Sequence, residues 1–328
     1  MRYGLYLNPQ FPNDGDPKAA LAGLLAQARA ATGAGFSSIW LPHHFATNPV
    51  RMFDTHTLMA RLTAEAPDTM IGPAVLLLPV QNPVFVAEQA ATLDWLSGGN
   101  YVLTAGLGYR PEEFAIHGAR IEERVGRMVE AIAVIRKLWT QERVTHHGKY
   151  YHLDDIGLSM RPVRPEGCPI WVGGSVSASV KRAARIGDAW IASFSQTFDE
   201  LAGLKRDYDA ARSAAGLPPP PTQPVCRETF IGPDGADALE ICRPALLYKY
   251  KAYAAWGNAN VGAQDLEKNF DRFVADRFIV GDAAKARDQI ARIAEATRSD
   301  HIILRMHWPG LDPAETLKSI ERARAITG

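Results

Sequence analysis

Residues 72–114 read GPAVLLLPVQNPVFVAEQAATLDWLSGGNYVLTAGLGYRPEEF, and this stretch decides the fold. Its first part belongs to a run from Met70 to Leu78 that is apolar at every second position and between, the pattern of a strand covered on both faces in a parallel sheet. Asn82 before Pro83 reads as the N-cap and first position of a helix, because the Asn side chain accepts from a free amide and Pro lacks one to satisfy. Val102 to Ala105 is the next strand, and Gly106 and Gly108 open the loop after it. Strand, helix and strand in succession form the crossover unit of a parallel sheet.

The same unit repeats outward in both directions. Upstream, Tyr3 to Leu7 is a strand, and Asp16-Pro17 starts a helix with Leu21, Leu24, Leu25 and Ala28 on one face, ended by Gly33 to Gly35. Phe36 to Leu41 is the second strand and Thr55 to Glu65 the second helix. Downstream, Val125, Met128, Val129, Ile132, Ile135 and Trp139 recur at helical spacing, and Val144 to Leu153 forms a small hairpin turning at HHGK. Strands follow at Pro169 to Val172, Asp188 to Ser193, Cys226 to Ile231 and His301 to Arg305. Helices are expected from near Ser175, up to about Ala215, from Asp282 to Ala296 and after Asp312-Pro313, with the run Pro218 to Pro221 stiffening one connection.

Eight such units predict an α/β chain folded as a (β/α)8 TIM barrel, with a long insertion from Pro233 to Asp276 between strand 7 and helix 7. A doubly wound sheet rarely needs eight units, and no GxGxxG follows the first strand. The chain is therefore expected to be one domain over residues 1–328. The insertion is too long for an ordinary βα loop, and its Tyr248, Tyr250, Tyr253 and Trp256 suit a lid over an apolar ligand.

Lys and Arg number 36 against 36 Asp and Glu, so no charge excess points to nucleic acid or an anionic membrane as partner. With 47% hydrophobic and 22% charged residues, composition excludes disorder, collagen and coiled coil. Cys168, Cys226 and Cys242 stand far apart, which gives neither a disulfide framework nor a zinc finger and suits a reducing compartment. MRYGLYLNPQ lacks the order of a signal peptide, and a cytoplasmic location is expected.

In a barrel the active site forms where strands end. Strand 2 ends in WLPHHF, which places His43 and His44 at the rim, where an imidazole can serve as acid, base or hydrogen-bond donor; adjacent histidines also serve simply to cap loops. No second cluster of His, Asp or Glu stands at metal-ligand spacing, so no metal site is expected. After strand 5 comes WVGGSVSAS, whose two glycines allow close backbone approach and whose Ser175 opens a helix with amides free for a phosphate, or is an ordinary cap. Gly106 and Gly108 clear the barrel mouth for a flat ring or merely allow a tight turn. His56, His146 and His147 are read as packed or solvated.

Taken together, WLPHHF, the 72–114 stretch, EERVGRMVEAIAVIRKLW and PIWVGGSVSASVKRAARIGDAW closely resemble the bacterial luciferase-like flavin-dependent monooxygenases, from Met1 to about Ser193. RFIVGDAAKARDQI resembles the element before their helix 7. The resemblance implies a barrel that holds reduced FMN, supplied by a separate flavin reductase, reacts it with O2 and uses the flavin hydroperoxide to oxygenate a small, apolar organic substrate. It makes His43 the catalytic histidine and places a non-prolyl cis peptide at Ala74-Val75 behind the flavin ring, with Gly106 facing the ring. Gly173, Gly174, Ser175 and Val176 match the phosphate loop, and a homodimer is the usual assembly.

This chain departs from luciferase itself in having Leu107, with Arg110 nearby, in place of a phosphate-binding arginine, and Gly174 in place of an acidic residue. These departures point to the non-luminescent branch. Two alternatives share the resemblance: a deazaflavin-dependent dehydrogenase that transfers hydride without oxygen, and a flavin-binding protein without turnover.

Overall fold

The computed structural model describes residues 1–48, 50–255 and 266–328, with only the backbone for 253–255. In chain order the first half contains β1 (Arg2–Tyr6), β2 (Gln10–Phe11), α1 (Pro17–Gly33), β3 (Ser38–Leu41), β4 (Arg51–Met52), α2 (Thr55–Glu65), β5 (Met70–Pro73), β6 (Leu76–Leu77), α3 (Pro83–Leu96), β7 (Leu103–Gly106), α4 (Pro111–Ile116) and α5 (Arg124–Thr140). The second half adds β8 (Val144–His147), β9 (His152–Ile156), β10 (Ile170–Gly174), α6 (Ser177–Ile186), β11 (Ala189–Ala192), α7 (Phe198–Ala214), β12 (Pro224–Ile231), α8 (Ala238–Ala255), α9 (Phe270–Ala275), β13 (Ile279–Gly281), α10 (Ala283–Thr297), β14 (His301–Arg305), α11 (Pro313–Arg322) and α12 (Arg324–Thr327).

Helix starts follow the chemistry of their caps. The Asp16 carboxylate accepts from the Lys18 and Ala19 amides at 3.0 and 3.3 Å ahead of Pro17, and Asn82 accepts from Val84 at 2.9 Å ahead of Pro83. In α5 the buried stripe is Met128, Ala131, Ile132, Val134, Ile135, Leu138 and Trp139. Val129 stands outside it and is exposed, since it lies a quarter turn round from Met128.

The parallel strands run in the order β5-β3-β1-β14-β12-β11-β10-β7-β6. β5 meets the residues just before β7 at an isolated parallel bridge between Ile71 and Tyr101, where the Ile71 amide donates to Asn100 O at 3.0 Å, and this brings the two ends of the strand order together. Because β5 and β6 are one strand position interrupted at residues 74–75, the ring has the eight positions of a (β/α)8 barrel. The third strand is thus broken where an unbroken run was expected. β13 lies outside the ring, paired with the last residues of β12.

A large core packs the helices on the outer faces of the strands, and a second cluster of Tyr6, Trp40, Val102, Trp171, Ala189, Ile191, Cys226 and Ile303 fills the interior. Trp40 and Trp171 stack there at 4.9 Å, above a pair formed by Ser38 Oγ and His301 Nε2 at 2.7 Å. The described parts of the 233–276 insertion form a third cluster, in which Cys242, Leu246, Tyr250, Phe270 and Val274 pack on Phe230, Phe278 and Trp308. These residues are packed rather than free to cover a ligand. Of the four aromatics expected in a lid, Tyr250 is buried and Tyr248 exposed, while the Tyr253 side chain and Trp256 lie outside the described residues. No described helix is long and apolar enough to cross a membrane.

Candidate functional site

The peptide bond between Ala74 and Val75 is cis, as the resemblance implies, and the Ala74 amide donates to Leu41 O at 2.7 Å on the neighbouring strand end. Val75 projects across the rim toward two glycines. A Cβ built on Gly106 would stand 2.1 Å from Val75 Cγ2, and one on Gly173 would stand 3.1 Å from Val75 Cγ1. At Gly106 only a residue without a side chain fits, and at Gly173 a side chain would crowd Val75. Gly106 was expected to bare backbone to a flat ring; its open side is instead filled by Val75, which is the group left to present an apolar surface.

Two residues beyond β3, His43 is 3% exposed and its Nδ1 has no hydrogen-bond partner. Its ring meets Phe45 edge-on at 4.6 Å and His56 at 5.9 Å. Burial above all, then the neighbouring His56 and His44, pulls the imidazole down to about 3, so His43 is neutral across the physiological range. His56, which the sequence set aside, therefore belongs beside the candidate catalytic histidine. His146 and His147 do not: they pair with Glu130 at 3.2 Å and Asp154 at 2.6 Å on the hairpin.

His44 points to a different task. Its Nδ1 lies 2.9 Å from Glu113 Oε1, and the same oxygen accepts from the Phe45 amide at 3.0 Å and Arg110 Nη1 at 3.4 Å. Burial alone would raise the Glu113 carboxyl, but these donors hold it below the usual range. Arg110 also donates to Phe45 O at 3.0 Å, so it braces the loop behind His44 and does not replace the missing phosphate arginine. Glu113 escaped the sequence reading because nothing in PEEF distinguishes it from an ordinary first-turn acid.

At the proposed phosphate loop the helix begins at Ser177, two residues later than expected. Ser179 Oγ accepts from the Ser175 and Val176 amides at 3.1 and 3.2 Å and donates to Val176 O at 2.7 Å. Those two amides are taken, so the donors left at this helix end are Ser177 and Ala178. A Cβ on Gly174 would meet Ser179 Oγ at 2.9 Å, which explains a glycine there. Arg182 on α6 lies close enough to Arg124 on α5 for repulsion to add to burial in lowering its guanidinium, an arrangement that an anion would relieve. Neither arginine was singled out in sequence, since both read as solvated helix positions.

The opposite wall of the mouth is charged. The Arg305 guanidinium lies 3.7 Å from the centre of the Phe194 ring and 4.1 Å from that of Tyr6, both packed on the interior cluster. Glu228 accepts from Arg305 at 3.2 Å and Tyr250 at 3.1 Å, and also from Lys249 and Trp308. Among the described residues no group of three His, Cys, Asp or Glu is placed to hold a metal ion. His43, Ala74, Val75, Gly106 and Gly173 are thus brought to one rim, while Gly174, Ser175 and Val176 continue it toward α6.

A family model described as luciferase-like monooxygenase matches residues 1–300. An F420-dependent glucose-6-phosphate dehydrogenase of Kineococcus radiotolerans is 34% identical over 173 residues, 50% of each chain. A 4-hydroxyprotoasukamycin monooxygenase of Streptomyces nodosus subsp. asukaensis is 28% identical over 224 residues, 68% of this chain and 55% of that one. The chain thus spans about half the length of these curated relatives. A monooxygenase crystal structure from Streptomyces bottropensis superposes with a TM-score of 0.84 at 22% identity, covering 99% of this chain and 98% of that one, which shows a shared fold.

Proposed function

The chain belongs to the luciferase-like monooxygenase family, and on that premise we propose that it is a monooxygenase that binds reduced FMN at the barrel mouth and oxygenates a small organic substrate. The observation that carries this reading is Val75 seated against Gly106 and Gly173 on the strand paired with the one that leads to a buried, neutral His43. That arrangement suits a planar ring: an apolar wall on one side and a single imidazole at its edge. Reduced FMN supplies the electrons that activate O2 when it is bound. The chain supplies the rest. Val75 supports the ring, His43 offers an unpartnered Nδ1 that accepts or passes a proton, and Phe45 packs edge-on against the imidazole. The Ser177 and Ala178 amides with Arg124 and Arg182 hold the phosphate.

A second reading is favoured by a specific comparison, the relative named as F420-dependent. In that case the same wall and histidine would hold an oxidised deazaflavin, which would take a hydride from the substrate without oxygen. The partners we infer are a separate flavin reductase and a second copy of the chain. The second copy would cover the exposed Phe85, Trp95 and Leu96 on α3.

Anaerobic titration of the protein with reduced FMN and with oxidised F420, followed by rapid mixing with O2, tests both readings. Saturable FMN binding followed by O2 consumption and an oxygenated product supports the monooxygenase. Binding of F420 alone, without O2 consumption, replaces it with the second reading. Binding without turnover over a broad substrate screen would leave a carrier.

A further inference from the structure

An open cavity of about 550 Å³ lies outside the ring of strands, between the starts of α3 and α5 and the turn of the β8–β9 hairpin. Phe45, Gln81, His117, Arg127, Tyr150 and Tyr151 line it together with the exposed Phe85. Val75, Gly106, Gly173 and the helix end at Ser177 take no part in it. Its volume is that of an ordinary small-molecule site. A second cavity of about 380 Å³ shares Asn82, Phe85, Tyr150 and Tyr151 with it, so the groove continues along the hairpin toward Leu153.

The aromatic wall is held in place from behind. Glu130 Oε1 accepts from the Tyr150 and Tyr151 amides at 3.1 and 2.9 Å, and a Cβ on Gly126 would stand 2.7 Å from the Tyr150 ring, so α5 is cut back to seat that ring. The Arg127 guanidinium lies 5.7 Å from the centre of Tyr150 and 5.5 Å from that of Tyr151. Its Nε donates to Pro79 O at 2.7 Å, while Glu123 stands 3.9 Å from Nη1, longer than a hydrogen bond. Gln81 Nε2 is buried and has no partner, which is costly for a donor unless a ligand accepts from it. At the inner end Phe45 meets His117 at 4.3 Å on one side and His43 at 4.6 Å on the other, so the groove stops one ring short of His43.

We propose that this groove binds a planar aromatic acid, with its rings against Phe45, Tyr150 and Tyr151 and its carboxylate on Arg127 and the Gln81 amide. An aliphatic chain would leave Arg127 and Gln81 without a partner, and a small inorganic anion would leave the ring faces uncovered. That the acid is the substrate rests on the oxidoreductase reading above, in which Phe45 stands between it and His43. The site itself rests on the groove and its residues.

Calorimetric titration of the cofactor-free protein with 2-naphthoate tests the site, beside 2-naphthalenemethanol, which has the rings without the charge, and cyclohexanecarboxylate, which has the charge without the rings. Saturable binding of 2-naphthoate is expected, at least tenfold tighter than that of either control. Arg127→Met should weaken the acid at least tenfold and leave the alcohol unchanged, while Tyr150→Ala should weaken both aromatic ligands several-fold. Ser175→Asp, which blocks the loop before α6, should leave all three affinities as they are. Equal affinity for acid and alcohol, or an acid affinity unchanged in folded Arg127→Met, overturns the proposal. Should Arg127→Met not fold, an unchanged acid affinity in Gln81→Leu overturns it. So does the absence of saturable binding, the result expected where a second copy fills the groove, and so does binding lost in Ser175→Asp alone. No cofactor enters these titrations, so failure of the oxidoreductase reading leaves their result readable.

Discussion

Val75 occupies the volume that a side chain on Gly106 would need, its Cγ2 lying 2.1 Å from where that Cβ would stand. The two residues act as one packing unit. Gly106→Ala should therefore push Val75 aside, at a cost of about 1–3 kcal/mol, the usual range for overpacking. Adding Val75→Ala should recover part of that loss, because it removes the methyl group at 2.1 Å and leaves only the Val75 Cβ at 3.0 Å. Urea unfolding of the two singles and the double checks this, and strictly additive losses would show that the contact is absent in solution.

Glu228 makes a comparable prediction on the charged side of the mouth. It is fully buried and neutralises Lys249 and Arg305 at once. Glu228→Gln keeps its shape but removes the charge that Lys249 and Arg305 share, so a loss of about 3–5 kcal/mol is expected from a broken buried pair. Denaturant unfolding measures it. A loss below about 1 kcal/mol would mean that water already screens the cluster.

The barrel was legible because its signals are local: caps such as Asp16-Pro17 and Asn82-Pro83, and strands apolar on both faces, repeat eight times along the sequence. The break in the third strand was legible only through resemblance, since GPAVLLLPV shows no polar or glycine residue at 74–75. What the sequence could not show is side-chain commitment. Ser175 looks like the first helical residue, yet Ser179, one turn on, takes its amide. Gly106 looks open and is filled from another strand. Arg227 and Glu228 are neighbours in sequence and would pass for an ion pair, but strand alternation sends them to opposite faces.

Acid should destabilise this fold earlier than carboxylate titration alone would. Burial first of all depresses His43 and His301 to about 3 and His307 to about 4. In the unfolded chain these imidazoles take up protons below about pH 6.5, whereas in the fold they stay neutral. The unfolded state therefore binds more protons between about pH 6.5 and 4. The stability these residues contribute is complete above that window and is lost as pH falls through it, by up to ~1.4 kcal/mol per pH unit for each histidine. Unfolding free energies at pH 7 and pH 5 should differ accordingly, and His301→Asn should flatten the difference. A pH-independent stability over this window would contradict the burial of all three.

His43 and His44 are adjacent in sequence and should fail in different ways when removed. His43 holds an unpartnered Nδ1 within the rim, so His43→Ala should cut turnover by roughly 10²–10⁴-fold, the range for a lost general acid or base. Its reduced-cofactor affinity should stay within a few-fold, because Val75 and the helix end that binds phosphate are untouched. With the imidazole already neutral well above pH 3, that loss should be constant from pH 6 to pH 8. His44 instead binds the buried Glu113, and His44→Ala removes one of the three groups that meet its Oε1, at a cost of about 1 kcal/mol. Turnover per folded molecule should be kept. Parallel melting curves and single-turnover yields on the two variants separate these roles. Normal turnover in His43→Ala, or an inactive but stable His44→Ala, would move the chemistry to the other histidine.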